Sequence, residues 1–275
     1  MLKAGWVVAA IAAMTLGCIP AFPDGDGTPM VNLQITEYKD FEAFQRITAE
    51  LETRDIKATI MLSGEFAAEH CERIRELHEA GHEIMLFIRP APLGGQSRTL
   101  SDLSYEEQQE LITNGKAALE NCLGTQITGF RCTQFDQNED TYQILDSLGF
   151  TYNLGFVENS AASFPGHEAE TLPYRSEDYD FWAVPMHSKV YQGRLVAFCD
   201  NPFRGVTAAT WQQLLLDELD AMTVAGRPLL VEFHPYNITD DEARFEAFVA
   251  FLNYAADQQA QYLSVADLVT RASAQ

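Results

Sequence analysis

The residues able to do chemistry in this chain stand at the ends of short apolar runs. Glu37 and Lys39 follow Val31–Thr36, and Arg89 follows His82–Ile88. Arg131 closes the run that begins at Ile127, with Gln134 and Asp136 just beyond it. His187 comes after Phe181–Pro185, and His234 and Tyr236 come after Leu229–Phe233. Two facing carboxylates, here Glu37 and Asp136, are what a glycosidase needs to protonate one oxygen and activate another. A histidine in such a place, His234 first and His187 second, can hold or release a proton near neutral pH. Arg131 either serves a ligand or simply pairs with Glu37 or Asp136. Tyr236 is the better candidate for a sugar-stacking ring, ahead of Trp182 and Tyr191. Trp211 shares a helical stripe with Leu214, Leu215 and Leu219 and reads as core. His82 sits where its strand begins, a position that serves stability.

These side chains meet only if parallel strands deliver them to one mouth, and the patterning predicts that. Strands are expected at Val31–Thr36, Ile56–Leu62, His82–Ile88, Ile127–Arg131, Phe150–Phe156, Phe181–Pro185, Arg194–Phe198, Leu229–Phe233 and Gln261–Val265. Helices are expected at Asp40–Thr53, Glu65–Ala80, Ser104–Leu123, Glu139–Leu148, Thr207–Ala225 and Asp240–Ala260, with one more at the C-terminus. Phe41, Phe44, Ile47 and Leu51 recur at helical spacing in the first of these helices. Ser104 with Glu107 forms a capping box at the start of the third. No linker divides the alternation, so the reading is one α/β domain with a parallel sheet, a (β/α) barrel that is complete or distorted. Ligands of such folds meet the carboxyl ends of the strands.

Composition narrows the partners. With 18 Lys+Arg against 40 Asp+Glu the formal charge is −22. Nucleic acid is disfavoured, because a phosphate backbone needs basic stripes to displace its counterions. Docking on anionic lipid is disfavoured for the same reason. Residues 1–22 read as a signal peptide: Lys3, then the uncharged run Trp6–Met14, then small residues. Thr15-Leu16-Gly17-Cys18 approximates a lipobox, so Cys18 is a candidate for lipidation and the one expected membrane attachment. Residues 23–30 read as a tether and 31–275 as the barrel domain. Export to the periplasm or cell envelope lets Cys71, Cys122, Cys132 and Cys199 form up to two disulfides, in any of three pairings, or remain buried thiols.

Several segments, in order, resemble polysaccharide deacetylases with a NodB-type domain, of the family 4 carbohydrate esterase kind. They are Ile56–Phe66, Ile74–Ile84, Leu103–Gln108, Gly129-Phe130-Arg131, Leu148-Gly149-Phe150 and Leu229–His234. The resemblance spans roughly residues 31–268. It implies a distorted (β/α) barrel of the NodB/polysaccharide deacetylase type, which in that family removes acetyl groups from N-acetylated sugars with a divalent metal. The matching positions do not carry that chemistry. The base slot holds Tyr38, and the metal slots hold Lys39, Phe87 and Ala91. An ammonium repels a cation and offers no lone pair. Arg131 is kept, the fourth motif is approximated by Asp178–Trp182, and His234 stands where the family has its acid histidine.

The expectation is an exported polysaccharide deacetylase-like protein with no cofactor, binding a carbohydrate or peptidoglycan-like ligand through Lys39, Arg89, Gln134, His187 and Tyr236. Zinc or a similar divalent metal re-enters only if Asp40, and not Lys39, stands at the ligand position. The alternative is an active, divergent carbohydrate deacetylase or hydrolase, cleaving carbon–nitrogen bonds other than peptide bonds with Glu37, Arg131, Asp136 and His234. A structural lipoprotein without ligand is the third reading. Lys39 is expected to replace the metal's charge by pairing with Glu37 or Asp40. Three cations at strand exits, Lys39, Arg89 and Arg131, point to an anionic sugar.

Overall fold

The computed structural model describes residues 27–274; the expected signal segment, Cys18 and the first half of the tether lie outside the described residues. In chain order the elements are β1 (Met30–Glu37), α1 (Phe41–Thr53), β2 (Thr59–Leu62), α2 (Gly64–Glu69), α3 (Cys71–Glu79), β3 (Glu83–Ile88), α4 (Tyr105–Leu123), β4 (Gly129–Cys132), α5 (Glu139–Ser147) and β5 (Tyr152–Val157). Then follow β6 (Tyr174–Arg175), β7 (Trp182–Met186), β8 (Ser188–Tyr191), β9 (Arg194–Ala197), α6 (Ala208–Val224), β10 (Leu229–Phe233), α7 (Pro235–Thr239), α8 (Glu242–Asp257), β11 (Gln261–Tyr262) and α9 (Val265–Ser273).

The main sheet runs β10-β1-β2-β3-β4-β5-β7-β6, with β11 also against β1. Every pairing in it is parallel except β6 with β7. This is the curled, mostly parallel half-barrel expected of the distorted (β/α) barrel. The gap between β7 and β10 is spanned by chain without regular pairing. The Phe198 N–H donates to the His187 carbonyl (2.8 Å), and the Asp200 N–H donates to the Glu232 carbonyl (3.2 Å). That segment brings Asp200 alongside the end of β10.

Strand alternation sorts the side chains into two layers. Val31, Leu33 and Ile35 of β1 and Leu229, Val231 and Phe233 of β10 face the helices. Their neighbours face the barrel interior: Asn32, Gln34 and Thr36 on β1, and Leu230, Glu232 and His234 on and after β10. The interior is apolar around Met61, Met85, Leu230 and Leu268, the last from α9. It turns polar toward the strand ends. A strand buried on both faces reads as a continuous apolar run, so a charged residue inside one, such as Glu232, is a deviation with a cause.

Two local departures from the sequence reading have physical reasons. The single helix expected at Glu65–Ala80 breaks at His70, whose backbone leaves helical geometry (φ −124°, ψ 30°). Its ring stacks on Phe41 at 3.8 Å. The strand expected at Arg194–Phe198 does not join the barrel: β9 pairs antiparallel with β8. The two are joined by Gln192 and Gly193 at φ 49° and 76°, the left-handed pair that a tight hairpin demands. Of the cysteines, Cys71 and Cys122 form a disulfide, whereas Cys132 and Cys199 are free and buried.

Candidate functional site

At the carboxyl end of the barrel lies a cavity of about 400 Å³. Its floor is a buried ionic network. Arg131, 3% exposed, donates from Nη2 to Glu232 Oε2 (3.0 Å) and from Nη1 to the Cys132 carbonyl. Glu232 also accepts the Thr36 hydroxyl (2.6 Å). Next to it, the His234 ring places Nδ1 2.6 Å from Asp200 Oδ1, and its backbone N–H donates to Asp200 Oδ2 (3.0 Å). Nε2 stands 3.8 Å from Glu232 Oε1 and 3.4 Å from the Asn201 amide nitrogen.

Charge compensation inside this network sets its protonation. Burial alone raises the pKa of Glu232, but Arg131 and His234 outweigh it and hold the carboxyl below its ordinary value. Burial likewise works against a charged His234, but Asp200 and Glu232 prevail and its pKa is raised. The ring therefore keeps its proton further into the neutral range than a free histidine does. A buried, carboxylate-held imidazole at a cavity wall can act as a general acid.

Aromatic and cationic side chains form the rim. Tyr38 and Tyr236 meet edge-on, with centroids 5.8 Å apart and hydroxyls 3.5 Å apart. Phe135 covers the Arg131 guanidinium at 3.5 Å. Gln134 and Phe135 both adopt φ above 50°, a left-handed backbone that non-glycine residues hold only when their surroundings impose it. Leu195, Val196 and Ala197 of β9 wall the opposite side.

Of the residues singled out in the sequence, Arg131, His234, Tyr236 and Gln134 line this cavity. Glu37 does not. It has the parity of Val31, Leu33 and Ile35, so alternation turns it away from the interior. Its Oε1 accepts the N–H groups of Tyr38, Lys39 and Asp40 at 2.6, 2.7 and 3.0 Å, folding the turn that presents Tyr38 and Lys39. Burial raises its pKa against those three bonds. Asp136 is bound by the hydroxyls of Thr99 and Ser101 and lines a different hollow. Glu37 and Asp136 therefore do not form the expected carboxylate pair; the carboxylates at the cavity are Glu232 and Asp200.

Lys39 does not pair with Glu37 or Asp40. It is exposed, with Nζ 3.6 Å from the centroid of the Tyr236 ring. Asp40 caps α1 by accepting the Ala43 N–H. Arg89 is exposed and lies over the Tyr38 ring at 4.5 Å. His187 is not at the mouth: its two ring nitrogens lie 2.7 Å from Glu158 and 2.7 Å from Glu218, both buried. His82 is buried at its strand's start, where Nδ1 accepts the Ala58 N–H. Asp178, expected near the fourth motif, is exposed, and the partner of His234 is Asp200.

Sequence reading missed Glu232 and Asp200. Glu232 had a signal, since it is the one charged residue in its strand and stands two positions before His234, on the same face. Asp200 had none, because its place depends on the irregular segment that spans the barrel gap.

Comparison with known proteins agrees with this architecture. Residues 37–153 match the family model "Polysaccharide deacetylase". A search of curated proteins returned no match. A Mycobacterium smegmatis protein assigned as a polysaccharide deacetylase superposes with a TM-score of 0.67 at 20% identity, covering 94% of each chain. The Puue allantoinase gives 0.69 at 15% identity, again covering 94% of each. A Bacillus anthracis protein described as a CE4 family pseudoenzyme gives 0.56 at 15% identity, over 88% of this chain and 66% of the other. At such identities these structures establish the fold. The family match over residues 37–153 and the superpositions over nearly all the described length give this chain the (β/α) barrel fold of the polysaccharide deacetylase type.

Proposed function

We propose that this is an exported polysaccharide deacetylase-like protein that binds a cell-envelope carbohydrate at the Tyr38–Tyr236 mouth and does not perform the family's metal-dependent deacetylation. One observation carries the reading. The positions that the resemblance assigns to metal ligands hold Lys39, Phe87 and Ala91, and these do not fit a divalent cation. Lys39 presents an ammonium against the Tyr236 ring, and Phe87 is a buried ring 6.0 Å from that of Tyr38. Among the described residues no group of three or more His, Cys, Asp or Glu side chains offers a substitute. Tyr38 and Tyr236, each with a cation over one face, supply aromatic surface against which a sugar can lie. Export is supported by the apolar N-terminal run and by the Cys71–Cys122 disulfide, a bond that persists in oxidising compartments.

The test joins binding to turnover. Acetate release from acetylated chito- and xylo-oligosaccharides and from peptidoglycan is expected to stay at background, with or without added zinc, cobalt or nickel. The same protein is expected to bind a glycan with an affinity that Tyr236→Ala weakens. Acetate release that rises with added metal contradicts the reading.

A second reading is favoured by the Asp200–His234 pair, which keeps a proton at the cavity wall without help from any metal. It is a hydrolase of carbon–nitrogen bonds other than peptide bonds with a remodelled site; that a protein of this fold is an allantoinase fits it. It predicts hydrolysis of amide substrates that persists in chelator and disappears in His234→Asn.

A further inference from the structure

We infer that the mouth selects a carboxylate-bearing sugar, either a uronic acid or a sugar carrying a lactyl ether, and that Lys39 and Arg89 receive the carboxylate. This rests on the carbohydrate reading above and narrows it to a substrate class. The argument begins with what basic groups do elsewhere in the protein. On a chain of net charge −22 most find a carboxylate, as in Arg46–Glu242 at the surface and Arg131–Glu232 in the cavity floor. Lys39 and Arg89 do not, and among the described exposed cations without an ion pair (Arg75, Arg194 and Arg204 are others) they are the two that stand over aromatic rings. Both are exposed at the mouth, and among the described residues neither makes an ion pair; Glu65, which lines the same hollow as Arg89, does not reach it.

The rings beneath them hold these two cations in place. Lys39 Nζ lies over Tyr236 at 3.6 Å and the Arg89 guanidinium over Tyr38 at 4.5 Å, and the two tyrosine hydroxyls are 3.5 Å apart. An ammonium or guanidinium held over a ring still has N–H donors that the ring does not use. Tyr38 also separates the 400 Å³ cavity from a second hollow of about 560 Å³ that Arg89 lines, so a ligand of more than one ring can lie across it. Within the cavity, Glu232 and Asp200 are already matched by Arg131 and His234. The cationic groups at the mouth without an ion pair are therefore Lys39 and Arg89, with Glu65 the carboxylate that lines the Arg89 hollow. A pyranose against the tyrosines places its acid group beside free donors, where charge-assisted hydrogen bonds form.

The experiment is calorimetric titration of the full chain with matched pairs: an oligogalacturonate and its methyl ester, and a muramic-acid disaccharide and its ester. Each ester keeps the sugar frame and removes the charge. The free acid of at least one pair is expected to bind roughly tenfold tighter than its ester, the worth of one charge-assisted bond. That preference should shrink with added salt. It should vanish in the Lys39→Gln/Arg89→Gln double variant, and the pair that shows it tells the uronic from the lactyl source. Equal binding of acid and ester in both pairs, or a preference that survives the double variant, overturns the inference and leaves the carbohydrate reading standing. If no acid, ester or neutral chito-oligosaccharide binds, both fall together.

Discussion

At the scale of single residues, the site depends on a buried ion pair that has to be complete. Arg131 and Glu232 are 3% and 1% exposed. Removing one partner strands the other charge out of water, which costs about 3–5 kcal/mol, whereas replacing both costs far less. Arg131→Met is therefore expected to destabilise the fold by that amount in urea titration, and Arg131→Met/Glu232→Gln to recover most of it. A double variant no more stable than the single one contradicts the pairing. The identity of the partner was not legible in advance. Glu37 and Asp136 stood nearer in the reading because they follow strands, but period-two alternation turns Glu37 outward, and Thr99 and Ser101 claim Asp136. The parity that places Thr36, Arg131, Glu232 and His234 together was readable once register was known, and register belongs to the assembled sheet.

Elements carry the next level, and here the β8–β9 hairpin matters most because it walls the cavity. It is anchored by His187 at its root, held between Glu158 and Glu218, which are themselves bound by Arg227 and Lys189. Burial disfavours the charged ring, but the two glutamates prevail and raise its pKa. Glu158 and Glu218 are lowered, again against burial, chiefly through His187. A group whose folded pKa is raised adds stability that is complete below its unfolded value, here 6.5, and is lost as pH rises through the folded value. The lowered carboxylates add stability present above their unfolded value of 4.5 and lost as pH falls through their folded values. His234 has a raised pKa too, so the difference between wild type and His187→Gln isolates this clamp. That difference in melting temperature is expected to shrink between pH 6 and pH 9; a constant difference contradicts the account. The sequence showed most barrel strands and the α4 capping box, because apolar runs and caps are local. It did not show β8, whose Ser-Lys-Val-Tyr is half exposed and gains its partner only through the Gln192-Gly193 turn.

For the whole molecule, 40 acidic groups against 18 basic ones mean that the folded surface repels itself. Salt shortens the range of that repulsion, from roughly 30 Å at 0.01 M to about 8 Å at 0.15 M. The melting temperature is expected to climb with potassium chloride over this interval; a flat or falling response means that self-repulsion does not limit stability. Against that imbalance, Lys39 and Arg89 bring two cations without an ion pair to the mouth. In the proposed reading, Lys39 stacked on Tyr236 stands where a deacetylase would hold a metal ligand. The central claim of the proposed function is that this fold has kept its cavity and does not hold the family's metal, and equilibrium dialysis of the purified chain against zinc, cobalt and nickel tests it most directly. The account predicts no stoichiometric retention of any of the three, and no change on replacing Lys39, Phe87 or Ala91 singly with alanine or glycine. One tightly held metal per chain, released by substitution of Asp40, Asp200 or His234, would contradict it.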